Sequence, residues 1–337
     1  MPADPSPQPD ATPTTSPTTS PTTSVAVHDS GRVADPRAAV AALAGVEARP
    51  GVPKPDPILI ADGVARRFGG LTAVEVDHLE VQRGVITALI GPNGAGKTTF
   101  FNLLTGFDKP NEGSWSFEGK SLSGVPAHRV ARRGMVRTFQ LTKALAKLTV
   151  LDNMRLGATG QKGENFFRAL IPGIWSGQQK EIDVRARELL ARFKLDAKEQ
   201  DFAGSLSGGQ RKLLEMARAL MVEPTMVMLD EPMAGVNPAL TQSLLGHVKD
   251  LREQGMTVLF VEHDMDMVRD ISDWVVVMAQ GRIVAEGPPD VVMADQAVID
   301  AYLGAHHDAP LSHEEEQAQL EAGEAELQGD TTERETR

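Results

Sequence analysis

Up to about residue 54 the chain carries almost no large apolar side chain; Pro, Thr, Ser and Ala dominate, and Thr-Thr-Ser-Pro nearly repeats between Thr14 and Ser24. Such a stretch cannot bury enough surface to offset the entropy of ordering it. Residues 1–54 are therefore expected to form a disordered arm, with a transient helical turn over Ala38 to Val46 at most. Beyond it the apolar positions become dense. Ile58 to Ala61 and Leu79 to Val81 read as short strands flanking a loop from Arg66 to Gly70. Val85 to Ile90 is an apolar run of the kind found in strands buried on both faces, and a helix over Thr98 to Leu104 follows. Ser114 to Phe117 alternates as a half-exposed strand does, and Val125 to Arg133 reads as a short basic helix.

From about residue 141 to 224 the pattern is helical, with pieces at Val150 to Met154, Phe166 to Leu170, Ile182 to Phe193 and Arg211 to Leu220. Thr225 to Leu229 and Thr257 to Val261 are further buried strands, and helices over Pro238 to Gln254 and Asp264 to Ile271 follow them. Trp274 to Met278 and Arg282 to Ala285 read as a hairpin. Strands alternating with helices predict an α/β domain over residues 55–305 with a mostly parallel sheet, an antiparallel β part and a helical insertion. A ligand of such a sheet lies at the carboxyl ends of its strands.

At the end of the first buried strand stands Gly91-Pro92-Asn93-Gly94-Ala95-Gly96-Lys97-Thr98-Thr99, which fits G-x-x-x-x-G-K-[ST] between strand and helix. Its glycines allow a nest of inward N–H groups, and the helix adds its positive dipole end to the same anion. Lys97 is expected to reach the β- and γ-phosphates, and the Thr98 hydroxyl to ligate Mg²⁺. Asp230, at the end of a second buried strand, is the expected carboxylate for that Mg²⁺, bound to it directly or through one of its ligands, and Glu231 is expected to take a proton from, or orient, an attacking water as general base. The motif set therefore predicts a P-loop NTPase core.

The chain has no cysteine, which excludes disulfides and thiolate chemistry. No run approaches the roughly 18 apolar residues of a membrane span, so a cytosolic or membrane-peripheral location is expected. The net charge of -12 is concentrated at residues 306–337, an acidic tail, disordered or helical, in which ten acidic residues face only Arg334 and Arg337. No clustered basic face points to nucleic acid.

At Leu206-Ser207-Gly208-Gly209-Gln210 the chain resembles the ATP-binding subunits of ABC transporters, over about Pro57 to Gly304 and with the motifs in that family's order. The resemblance implies that Ser207, Gly208, Gly209 and Gln210 meet the ATP of a second ATPase subunit, identical or paralogous. It further implies that Gln140 binds Mg²⁺ or the water, that His263 contacts the γ-phosphate, and that Phe68 stacks on adenine. Gly91, Asn93, Gly94, Ala95, Gly96, Lys97, Thr98 and Thr99 would then hold ATP. Glu231, His263 and Gln140 would serve catalysis, and Thr98, Gln140 and Asp230 the metal. In the loop after Glu231 the family commonly has Asp where this chain has Asn237, which keeps the hydrogen-bonding shape and loses the charge.

Phe68 to Val74, Asp230 to Pro238, Glu262 to Met265 and Ala301 to Gly304 look most similar to the larger ATPase subunit of branched-chain amino acid importers. Urea importers and lipopolysaccharide exporters share much of this pattern. The implied partners are transmembrane permease subunits and, indirectly, a periplasmic or lipoprotein solute-binding protein, at the cytoplasmic face of the plasma membrane. Cassette ATPases of DNA repair carry a very long coiled coil between phosphate loop and signature, and those of translation carry two cassettes; the sequence has neither feature. The apolar residues Phe166, Phe167, Leu170, Ile171, Ile174 and Trp175 read as local helical core, with a partner-docking surface as the alternative.

Overall fold

The computed structural model describes residues 35–138, 145–159 and 172–307. The chain lays down β1 (Pro57–Phe68) and β2 (Leu71–Gln82) as a hairpin, β3 (Ile86–Ile90) as the first central strand, then β4 (Glu112–Phe117) and β5 (Lys120–Ser121). β6 (Met135–Thr138), β7 (Met226–Asp230), β8 (Thr257–Val261), β9 (Trp274–Ala279) and β10 (Arg282–Gly287) follow. One sheet is antiparallel, in the order β2-β1-β4-β5. The other runs β10-β9-β3-β8-β7-β6 and is parallel except for the β9–β10 hairpin.

Successive residues of the parallel strands enter opposite cores, which is why these strands are apolar at nearly every position. Ile86, Ala88, Ile90, Val227, Leu229, Val258 and Phe260 face the helical side. Leu89, Met226, Met228, Leu259, Val261 and Val276 pack instead with the antiparallel sheet and with Phe100, Phe101, Leu103 and Leu104 of the helix after the phosphate loop. The β1–β2 hairpin is longer than the two short strands expected from sequence. Its pairing runs from Pro57↔Gln82 to Phe68↔Leu71, and the supposed loop at Arg66 and Arg67 is strand. Exposed charged positions on one face of an antiparallel strand interrupt the apolar pattern without interrupting the ladder.

The helices are α1 (Pro36–Leu43), α2 (Lys97–Leu104), α3 (Ala127–Arg132), α4 (Val150–Gly157) and α5 (Pro172–Arg192). α6 (Gly208–Ala219), α7 (Pro238–Glu253), α8 (Met265–Ile271), α9 (Pro289–Met293) and α10 (Gln296–His307) complete the set among the described residues. None of these helices is long and apolar enough to cross a membrane.

The expectation of a disordered arm through residue 54 is corrected from residue 35 onward. Asp35 caps α1, whose Ala39 and Leu43 are buried, and Val52 joins the same core as β1 and β2. The anchor is electrostatic. Lys54 donates to Glu286 at 2.9 Å with the two side chains 1% and 0% exposed, and Glu286 also accepts from Trp274 Nε1 at 3.0 Å and from the Val52 N–H at 3.0 Å. Burial pulls the Lys54 ammonium below its usual pKa, against the opposing attraction of Glu286. Gln140, Phe166, Phe167, Leu170, Ile171 and the acidic tail from residue 308 lie outside the described residues, as do the side chains of Ile174 and Trp175.

Candidate active site

The parallel order β3-β8-β7 brings the carboxyl ends of these strands side by side, and with them the phosphate loop, the Glu262-His263 pair and the Asp230-Glu231 pair. The loop from Gly91 to Gly96 leaves β3 and turns into α2. Gly91 (φ 146°) and Gly96 (φ 97°) occupy backbone conformations that side chains rarely adopt. A Cβ at Gly91 would stand 2.0 Å from the Met278 carbonyl oxygen, and one at Gly96 2.3 Å from that of Ala73. The loop is tied to the β9–β10 turn as well, where the Gly281 N–H donates to the Ala95 carbonyl at 3.0 Å.

Leu71, Thr72, Ala73, Asn93, Gly94, Ala95, Gly96, Lys97, Thr98, Thr99, Glu231 and Gln280 line a cleft of about 430 Å³. Lys97 donates to the Gly91 carbonyl at 2.6 Å and to that of Pro92 at 2.9 Å. Burial lowers its pKa, while the negative charges of Glu231 and Asp230 oppose that shift. Cation and carboxylates thus share one electrostatic site.

Asp230 is buried and Glu231 exposed, as their positions in and just beyond β7 dictate. Asp230 Oδ2 accepts from Arg137 Nη2 at 2.5 Å, and Arg137 Nη1 donates to Asn102 Oδ1 of α2 at 2.5 Å. Glu231 has a left-handed backbone, φ 46°, held where its N–H donates to the Val261 carbonyl at 3.1 Å. Thr98 and Asp230 are hard oxygen donors. No group of three or more His, Cys, Asp or Glu among the described residues could hold a metal by itself. A hydroxyl and a carboxylate that leave other positions to phosphate and water are the donor set that Mg²⁺ takes with a nucleotide.

Ser207 caps α6 in a reciprocal capping box: its hydroxyl accepts from the Gln210 N–H at 3.2 Å, and Gln210 Oε1 accepts from the Ser207 N–H at 3.1 Å. Gly208 faces open space, whereas a Cβ at Gly209 would overlap the Leu240 side chain of α7. Ser207 and Gly208 are thus exposed at a helix N-terminus, where a second chain could reach them. Asn237 caps α7, accepting from the Leu240 N–H at 3.0 Å.

His263, its side chain 66% exposed, lines a second hollow of about 370 Å³ with Glu262, Met233 and Val236, and it does not line the cleft that holds Lys97 and Glu231. Phe68 also lies outside the lining of that cleft; it is half exposed at the tip of the hairpin, with the Arg66 guanidinium 4.4 Å from its ring centre. Sequence reading missed Arg137, Gln280, Lys212 and Glu262. Lys212 Nζ donates to the carbonyls of Pro232, at 3.0 Å, and Ala234. Glu262, 2% exposed, accepts from the Met233 N–H at 3.1 Å, and burial raises its pKa above the usual carboxylate value. No local spacing marks these contacts, whose partners lie 20 to 93 residues away along the chain.

The family model described as ABC transporter matches residues 74–234, and that described as branched-chain amino acid ATP-binding cassette transporter matches residues 282–308. A probable branched-chain amino acid transport ATP-binding protein LivG of Archaeoglobus fulgidus is 42% identical over 248 residues, 74% of this chain and 96% of that protein. The high-affinity branched-chain amino acid transport ATP-binding protein BraF of Pseudomonas aeruginosa is 40% identical over 251 residues, 74% of this chain and 98% of that protein. Among solved structures, a nucleotide-free ATP-binding cassette from an ABC transporter is similar with a TM-score of 0.64 and 37% identity, covering 73% of this chain and 98% of that one. The ADP conformation of an ATP-binding cassette of an ABC transporter has a TM-score of 0.64 and 36% identity, covering 74% of this chain and 99% of that one.

Proposed function

This chain belongs to the ATP-binding proteins of ABC transporters, ATPases coupled to transport, and on that footing we propose that it powers uptake of branched-chain amino acids through a separate membrane permease. The observation that carries the reading is the cleft in which Lys97, Thr98 and Glu231 meet, with Asp230 close enough to act on the Lys97 charge. Backbone N–H groups of the loop and Lys97 bind the phosphates, and Glu231 takes a proton from water aligned on the γ-phosphate. Thr98 and Asp230, with Gln140, hold Mg²⁺, which when bound neutralises phosphate charge. Ser207, Gly208 and Gly209 serve the ATP of a second subunit, a copy of this chain or a paralogue, and His263 reaches the γ-phosphate in that closed pair. Phe68 stacks on adenine from the hairpin tip. The pair sits at the cytoplasmic face of the membrane against the permease, which a solute-binding protein supplies from the other side.

The solute follows from the named relatives and from the match at residues 282–308. The test is isolation of the Glu231→Gln protein with ATP from native membranes, together with leucine uptake by cells lacking the chain. A co-purifying permease pair and lost leucine uptake support the reading. Unchanged uptake, or ribosomes or repair factors in place of a permease, contradicts it.

A further inference from the structure

The turn that carries Glu231 is strained, and its restraint comes from outside. A non-glycine residue in the left-handed region, as Glu231 is at φ 46°, persists only where its surroundings over-determine it. Here each backbone polar group from the Glu231 N–H to the Ala234 carbonyl has a partner. The Glu231 N–H donates to Val261, its carbonyl accepts from Ala234 at 3.2 Å, and the Met233 carbonyl accepts from Val236 at 3.1 Å. The remaining three groups are held by two side chains. Lys212 Nζ takes the Pro232 and Ala234 carbonyls, and Glu262 Oε1 takes the Met233 N–H. Glu262 Oε2 also accepts from the His263 N–H at 3.4 Å.

These two residues come from different elements. Lys212 stands in the second turn of α6, the helix that Ser207 caps, and Glu262 directly follows β8. A lysine on the polar face of a helix ordinarily keeps its ammonium in water. This one is half buried against two carbonyls that flank Met233.

We infer that Lys212 and Glu262 are positioning residues for ATP hydrolysis, clamping from two sides the turn that presents the Glu231 carboxylate to the phosphate loop. The inference rests on the reading of Glu231 as general base. Neither residue lines the cleft that holds Lys97, so the clamp acts on catalysis through Glu231 and leaves ATP binding alone. Lys212→Met keeps the aliphatic stem and removes the donors; Lys212→Arg keeps donors for both carbonyls.

The experiment is steady-state ATP hydrolysis by the full chain, with melting curves and ATP binding measured alongside. Lys212→Met is expected to lower kcat roughly 10- to 100-fold, as a misplaced catalytic group does, with KM for ATP changed less than about twofold. Lys212→Arg is expected to recover most of the loss. If Lys212→Met does not fold, Lys212→Gln takes its place in the same comparison. An unchanged kcat, a loss carried by KM, or failure of Lys212→Arg to recover activity overturns the inference. Glu231→Gln runs in parallel: if it turns over normally, the general-base reading itself fails, whereas an inactive Glu231→Gln beside an active Lys212→Met sinks the clamp alone.

Discussion

Arg137 and Asp230 form an ion pair almost sealed from water, Nη2 to Oδ2 at 2.5 Å with side chains 3% and 1% exposed. The neighbouring strands β6 and β7 supply the two residues, and Arg137 continues to Asn102 of α2. The carboxylate assigned to Mg²⁺ is thereby tied to the helix that the phosphate loop begins. Replacing Arg137 by Met leaves Asp230 buried without its counter-charge, a change that costs about 3–5 kcal/mol in such pairs. Urea unfolding of Arg137→Met measures it. A loss below about 1 kcal/mol, the range of exposed pairs, would mean that the pair is dispensable.

Gly96 admits no side chain. With φ at 97° and a Cβ position 2.3 Å from the Ala73 carbonyl oxygen, Gly96→Ala displaces either the loop or the β2 strand. The expected result is ATP affinity weakened at least about tenfold, equivalent to about 1.4 kcal/mol, read by equilibrium dialysis. Wild-type affinity in this variant would show that the loop tolerates the shift.

The motifs of the cleft were legible because their chemistry is local. A phosphate nest needs its glycines and lysine within one loop, and Asp230 and Glu231 stand where an apolar strand ends. What escaped the sequence depends on distant partners. Lys54 sits in a segment whose composition argues for disorder, yet its counter-charge Glu286 lies 232 residues further along. Arg137 meets Asp230 across 93 residues. Lys212 reads as a solvated residue on the polar face of an amphipathic helix, and nothing near it in sequence announces the Pro232 and Ala234 carbonyls. Ser207 and Gln210 lie at the local end of the range: an S-x-x-Q spacing before an amphipathic helix suffices for the capping box that starts α6.

Glu262 gives the stability a pH dependence of known sign. Burial raises its pKa from the ordinary 4.5, opposed by the Met233 and His263 N–H groups and the His263 charge and reinforced by Glu231. The folded state therefore binds more protons than the unfolded chain above pH 4.5, and stability falls as pH rises through the raised pKa. Lys212, whose ammonium also feels Glu262, faces it from α6. Asp273, likewise raised by burial, adds a fall of the same sign and is present in both proteins. By urea unfolding, the stability of wild type relative to Glu262→Gln is expected to fall from pH 4.5 toward neutrality; buried His247, whose pKa is lowered, contributes a rise that is common to both. Parallel curves would show that Glu262 titrates as an ordinary carboxylate.

On the proposed reading, the cleft shared by Lys97 and Glu231 hydrolyses ATP with Glu231 as its base. ATP binding and ATP hydrolysis measured side by side for wild type and Glu231→Gln test it most directly. The expected result is an ATP Kd within about twofold of wild type with turnover reduced by about 100-fold or more, the range for loss of a general base. Hydrolysis that survives the substitution, or binding that collapses together with it, would contradict the account.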